Sequence, residues 1–176
     1  MDFELREWRE TDIPAVAKYA NNKKIADFLR DAFPFPYNNE NAEEYVNACI
    51  KGDPALQYCR AITVDGQAVG SIGLLIQKDV YCRSAELGYL LGEPYWNKGI
   101  MSRAIPMICQ DFFIEYEEIV RIFAEPFAQN IGSRRVLEKS GFQLEGILRK
   151  SVYKNGYYFD SCIYALIREE NGQKAN

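Results

Sequence analysis

The sequence predicts an α/β fold of the α+β kind, built on a mixed, mostly antiparallel twisted sheet, and three observations in its 176 residues carry that class. Asp65-Gly66 and Asn155-Gly156 each separate two runs rich in β-branched and aromatic residues. Such pairs favour two-residue type I′ hairpins, because both central residues must take positive φ. Residues 86–91 and 119–124 read as strands joined by a helical stretch over 99–116, and a crossover of that kind makes its two strands parallel. Helical periodicity fills the first third of the chain, and strand patterns dominate afterwards.

Thr11 and Asp12 are N-cap candidates ahead of Ile13, Val16, Ala17 and Ala20, which share one helical face, and Pro14 is acceptable in an opening turn. A second short helix is expected over Asn22 to Leu29. The loop "RDAFPFPYNNEN" follows, then a helix over "AEEYVNACIKGD" that Gly52 should end. "QYCRAITV" and "QAVGSIGLLI" flank Asp65-Gly66, and "SAELGYLLG" completes a three-strand meander. The helix over 99–116 contains Pro106, which removes an N–H and clashes with the preceding turn at a cost of about 3 kcal/mol. It predicts either a kink or a helix that begins later. After the strand "IVRIFAE", Asn130 caps a helix terminated by Gly141. "FQLEGILRKSVY" and "YYFDSCIYALI" then form the last hairpin. No repeat or linker interrupts the order, so one domain over 1–176 is expected, ending in a short C-terminal tail.

Composition narrows the chemistry. No apolar run reaches the roughly 18 to 20 residues of a membrane span, and the amino terminus "MDFELREWRE" lacks the order of a signal peptide; the expected location is the cytoplasm. A net charge of −4 argues against a nucleic-acid partner. The five cysteines are scattered, odd in number and never in a CxxC pair, so buried free thiols are expected rather than disulfides or a metal site. The chain has no histidine, which removes imidazole triads and histidine metal sites. An enzyme here works with carboxylates, hydroxyls, amines or backbone.

The stretch "YWNKGIMSRA" is the strongest local signal. A helix that starts directly after a strand offers unsatisfied amides and a partial positive charge, so it holds an anion without needing a lysine. Asn97, Lys98, Gly99, Ile100, Met101 and Ser102 occupy that position, and Gly99 lets the backbone approach closely. Together, "AELGYLLGEPYWNKGIMSRA", "AEPFAQNIGSRRVLEKSGFQLEGILR" and "NGYYFD" make the chain similar, over roughly residues 5–168, to the GNAT acetyltransferases and their RimJ/RimL-like branch. The resemblance implies the acyl-CoA N-acyltransferase fold: about six to seven strands, a central parallel pair that splays apart, and helices on both faces. It also implies acetyl-CoA as co-substrate, no metal, and direct attack of a primary amine on the thioester through a tetrahedral intermediate. The acceptor would be a protein amino terminus or a small amine, and the protein a monomer or homodimer. Acetylation of an antibiotic and a non-catalytic acyl-CoA-binding module are the alternatives.

By the same resemblance, the pyrophosphate loop falls on Trp96 to Met101, and the pantetheine arm lies along the backbone of Tyr89, Leu90 and Leu91. Glu86 takes the place of the carboxylate base, an alkylamine with a pKa of about 10 needing to lose a proton first. The competing reading for Glu86 is a salt bridge to Arg83 or Arg121. Ser133, in "NIGS", stands where a hydroxyl protonates the leaving thiolate, and Asn130 doubles as cap and pantetheine contact; capping alone is the competing reading for both. Tyr153, Tyr157, Tyr158 and Tyr164 are alternative acids. Phe33, Phe35 and Tyr37 are candidate walls of the acceptor cleft, or ordinary core. Val152 stands where a ribosomal-protein member carries a glutamate, which weakens direct transfer of that member's substrate.

Overall fold

The computed structural model describes residues 1–168; the expected C-terminal tail lies outside the described residues. The strands are β1 (Glu4–Arg6), β2 (Gln57–Val64), β3 (Gln67–Ile76), β4 (Ser84–Leu91), β5 (Arg121–Ala124), β6 (Gln143–Lys154) and β7 (Tyr157–Ile167). They form one seven-stranded sheet in the order β1-β2-β3-β4-β5-β7-β6. Every neighbouring pair is antiparallel except β4 and β5, which are parallel. The helices are α1 (Ile13–Ala20), α2 (Lys23–Ala26), α3 (Asn39–Lys51), α4 (Ile100–Glu115) and α5 (Ile131–Lys139).

Both hairpins turn as their sequences require. Asp65 and Gly66 have φ of 50° and 75°, and Asn155 and Gly156 have φ of 53° and 84°. β1 was missed by the sequence reading: three residues are too short for an alternation to show, yet they pair with β2 from Glu4↔Thr63 to Arg6↔Ala61.

Several helix boundaries differ from expectation, each for a local reason. Asp12 does not cap α1 with its side chain. Its carboxylate accepts instead from Arg6 Nη2 at 2.7 Å and from the Arg9 N–H at 3.0 Å. α2 stops at Ala26 because the following N–H groups of Phe28 and Leu29 reach back three residues, to Ile25 O and Ala26 O. α3 begins before the expected start, since Asn38 and Asn41 exchange side-chain-to-backbone bonds across its first turn. Gly52 follows α3 at φ −65°, so no left-handed glycine ends that helix. α4 runs unbroken from Ile100 through Pro106, whose position on the exposed face keeps its ring out of the core, so the later start is not what forms.

Two apolar clusters sit on opposite faces of the sheet. The larger joins α4 and α5 to the strands through Ile105, Ile108, Phe112, Ile122, Leu137 and Tyr164, all fully buried. The smaller joins α1 and α3 through Val16, Ala20, Ala42, Val46 and Ala61. The cysteines depart from expectation in part: Cys109 and Cys162 are buried, Cys49 and Cys59 are partly so, and Cys82 is exposed.

β1 is fastened by the Arg6–Asp12 pair, whose side chains are 16% and 6% exposed. Burial pushes the Asp12 carboxyl up, but the Arg6 guanidinium and the Arg9 N–H outweigh it and hold the group below its ordinary value of 3.8. A carboxyl depressed in the folded state contributes stability above its unfolded value and loses it as pH falls through the folded one. Asp12→Ala is therefore expected to destabilise the protein at pH 7 by about 1–3 kcal/mol. Urea melts of both proteins should converge below the ordinary carboxylate range; a pH-independent difference would show that the ion pair is not its source.

Candidate active site

The site is built where β4 and β5 part. Their parallel ladder consists of Ser84↔Arg121, Ala85↔Ile122 and Glu86↔Phe123. β4 keeps its pairing with β3 all the way to Leu91, opposite Gly70. β5 instead follows β7, and after Ala124 that pairing continues through the Cys162 N–H to Pro126 O at 2.9 Å and the Ala128 N–H to Asp160 O at 2.8 Å. A gap opens between the carboxyl ends of the two strands.

Strand alternation decides which main-chain groups face that gap. The Gln77 N–H donates to Ser84 O and the Gly92 N–H to Val69 O. In this register Ser84, Glu86, Gly88 and Leu90 spend their N–H and C=O groups on β3, while Leu87, Tyr89 and Leu91 turn theirs toward the gap. Leu90 is therefore a correction: its backbone is committed within the sheet, and Tyr89 and Leu91 are the residues of the predicted trio able to pair with an extended ligand. Leu91 O already accepts from Trp96 Nε1 at 2.6 Å, which pins the loop to the end of the strand.

That loop leads into α4. Asn97 takes φ +59° and Gly99 φ +71°, so two left-handed residues reverse the chain within three positions. Gly99 is the N-cap and supplies no side chain, in contrast to Asn22, Asn38 and Asn130, whose amide oxygens cap α2, α3 and α5. The first turn of this 16-residue helix carries no acidic residue, and Asn97, Lys98 and Gly99 are exposed. A Cβ placed at Gly99 would meet no neighbour nearer than Ser102 Oγ at 4.0 Å. Amides of Ile100, Met101 and Ser102 thus start a helix with a positive end and no internal anion, a geometry suited to phosphate oxygens. Met101 is buried in the core, so its bulk points away from the loop.

The two faces of β4 divide the remaining residues. On the α5 face, the Tyr89 hydroxyl lies 2.7 Å from Ser133 Oγ. Burial pushes the Tyr89 phenol up, partly offset by that hydrogen bond. The Ser133 N–H donates to Asn130 Oδ1 at 3.1 Å, so the capping role of both residues is present. Tyr89 was noted for its backbone alone; its hydroxyl makes a pair with Ser133 beside the gap. Tyr164 is not available as an acid: it is fully buried, donates to Glu138 Oε1 at 2.7 Å and accepts from Arg134 Nε at 3.1 Å. Tyr153, Tyr157 and Tyr158 are exposed at the tip of the β6–β7 hairpin.

On the opposite face stands Glu86. Its partner is neither Arg83 nor Arg121: Glu86 Oε1 accepts from Arg30 Nη2, while Arg121 forms a two-pronged pair with Glu145. Gly88, next along this face, has no atom within 4 Å of where a Cβ would be, so the strand is open beside Glu86. Glu125 lies on the same face, two residues past Phe123, and period-two alternation along β5 could have placed it there. Its Oε1 accepts from the buried Ser161 hydroxyl at 2.6 Å, and Ser161 lies 2.7 Å from Ser151 Oγ. Of the expected acceptor walls, Tyr37 is buried in the α1–α3 cluster, its hydroxyl donating to Asn41 O, and Phe33 stacks on it at 4.8 Å. Tyr37 is core, a correction; Phe33 is half-buried against that cluster, and Phe35 is exposed. Among the described residues no group of three or more Asp, Glu or Cys side chains could hold a metal ion.

Residues 2–143 match the acetyltransferase (GNAT) domain model. The uncharacterized N-acetyltransferase p20 of Bacillus licheniformis is 33% identical over 168 residues, 94% of this chain and 93% of that protein. The chain belongs to the GNAT acetyltransferase family. Among solved structures, RimL, the ribosomal L7/L12 alpha-N-protein acetyltransferase in complex with coenzyme A, superimposes with a TM-score of 0.83 at 24% identity, covering 94% of this chain and 93% of that one. The microcin C7 self immunity acetyltransferase MccE, in complex with acetyl-CoA and AMP, gives 0.81 at 22% identity, with 95% and 93% covered. At those identities the likeness is one of fold.

Asn130 and Ser133 separate by a stability measurement. Asn130→Ala should cost about 1 kcal/mol by removing the α5 cap. Ser133→Ala should leave urea stability nearly unchanged, because Ser133 serves the cap through its N–H. An equal loss in both would mean that the Tyr89–Ser133 contact holds α5 in place.

Proposed function

We propose that this chain transfers the acetyl group of acetyl-CoA to a primary amine, with a protein α-amino group as the acceptor and the cytoplasm as the place of action. One observation carries the proposal: the main-chain groups of Tyr89 and Leu91 face a gap in the sheet whose far end is the uncapped amino terminus of α4. An extended arm bearing amides pairs with the first as an added strand would, and a diphosphate fits the second. Acetyl-CoA has both, and it supplies the activated thioester. The coenzyme A complex of RimL and the acetyl-CoA complex of MccE, proteins of the same fold, support this assignment.

The chain's own groups divide the remaining work by face. Glu86, open toward Gly88, takes the proton from the acceptor ammonium, directly or through water. Glu125 is a second carboxylate on that face, steadied by Ser161. Main-chain N–H groups at the gap offset the negative charge that develops on the acetyl oxygen. On the α5 side, the Ser133 and Tyr89 hydroxyls donate a proton to the departing sulfur; the short contact between them lets either be replenished by the other. Protons balance: the ammonium nitrogen loses two on becoming an amide, both by way of Glu86 and solvent, one reaches the thiolate from a hydroxyl that solvent reprotonates, and one is released net. The protein-amine acceptor is favoured by the ribosomal-protein specificity stated for RimL.

Two measurements test this. Acetyl-CoA at about 100 times its dissociation constant should stabilise the protein by ~2.7 kcal/mol in thermal melts. Thiol release with acetyl-CoA should then be seen with peptides bearing free amino termini and be weaker with polyamines or aminoglycosides. Glu86→Gln is expected to keep the melting shift and lose about 10²- to 10⁴-fold in turnover, the range for removing a general base. Turnover equal to wild type at every pH would exclude Glu86 from proton transfer.

A further inference from the structure

Glu86 is guarded by a strap. Residues Leu29, Arg30 and Asp31 lie in the turn after α2, and the segment is anchored on both sides of Arg30. Lys154, at the end of β6, is buried; its ammonium donates to Leu29 O and pairs with Asp31 Oδ1 at 3.3 Å. Arg30 lies between these attachments, its side chain 68% exposed, and reaches inward to Glu86, which is 20% exposed. The strap thus links the β6–β7 hairpin to β4 across the open face of the gap, through the exposed side chain of Arg30.

The charges tied together by the strap balance, Arg30 and Lys154 against Glu86 and Asp31; Glu125, beyond Phe123 on the same face, is held by Ser161. Arg30 holds one oxygen of Glu86, Oε1, so an amine arriving as an ammonium ion shares that single carboxylate with the guanidinium. Arg30 stays beside it, because its neighbours are fastened to Lys154, and Asp31 is already paired with the same lysine. Two cations then face one carboxylate at Glu86. A second cation on the acceptor would be repelled there, while an anionic group close to the amine would restore the balance.

Resting on the acetyl-transfer reading above, we infer that Arg30 is a specificity-determining residue. It selects amines with a negative group nearby, such as peptide amino termini followed by an acidic residue, over polyamines and termini followed by lysine. The exposed guanidinium makes the test tolerant of substitution, since Arg30 packs into no core.

Steady-state kinetics with acetyl-CoA and two peptides, identical except for Asp or Lys at the second position, decide the matter. The unmodified protein should favour the Asp peptide by about fivefold in kcat/KM, the size of one exposed charge contact, with the difference residing in KM. Arg30→Ala should erase the preference, Arg30→Glu should reverse it, and the KM for acetyl-CoA should be the same in all three proteins. An indifferent wild type, or a preference that survives Arg30→Ala, overturns the inference. Acetyl-CoA binding with neither peptide acetylated overturns it alone; failure to bind acetyl-CoA overturns the proposed function beneath it as well.

Discussion

The parting of two parallel strands is the constraint on which the rest of this molecule depends. β4 is held by seven consecutive pairs with β3, from Gly70↔Leu91 to Ile76↔Ala85, and β5 is held by β7. Each strand stays with its antiparallel partner as the two diverge, and pairing between them ends at Glu86 and Phe123. Backbone donors and acceptors left unpaired inside a sheet are unfavourable unless water or a ligand satisfies them. A long polar molecule with its own amides answers that need, and strand geometry selects Tyr89 and Leu91 to meet it.

The two faces of the opened sheet are given different chemistry by the same alternation. One face packs on α4 and α5 and carries hydroxyls, Tyr89 against Ser133. The other carries carboxylates, Glu86 and Glu125, under a strap tied down by Lys154. In the proposed reaction, proton removal and proton return belong to opposite faces of the sheet. The α4 core, with Ile105, Ile108 and Phe112 fully buried, fixes the turn at Gly99 relative to the gap.

Much of this was legible in the sequence where the signal is local. Asp65-Gly66 and Asn155-Gly156 fixed two hairpins because few other residue pairs take two positive φ angles. Gly99 marked the start of α4 for a related reason, and Asn130 marked that of α5. What was not legible depends on long-range contact. Arg30 lies 56 residues from Glu86 in an irregular loop, so no spacing rule joins them. The burial of Tyr37 and Tyr164 follows from helix packing, which residue type alone does not reveal. The commitment of Leu90 to β3 is of another kind: period-two alternation from Gly92 was enough to find it once the partner strand was known.

Amide hydrogen exchange with and without coenzyme A tests the central claim most directly, because it reads individual backbone N–H groups. The account predicts new protection at Tyr89 and Leu91 and in the first turn of α4, at Ile100, Met101 and Ser102, with Leu90 already protected in the free protein. Coenzyme A binding that leaves Tyr89, Leu91 and those helix amides exchanging as before would contradict it.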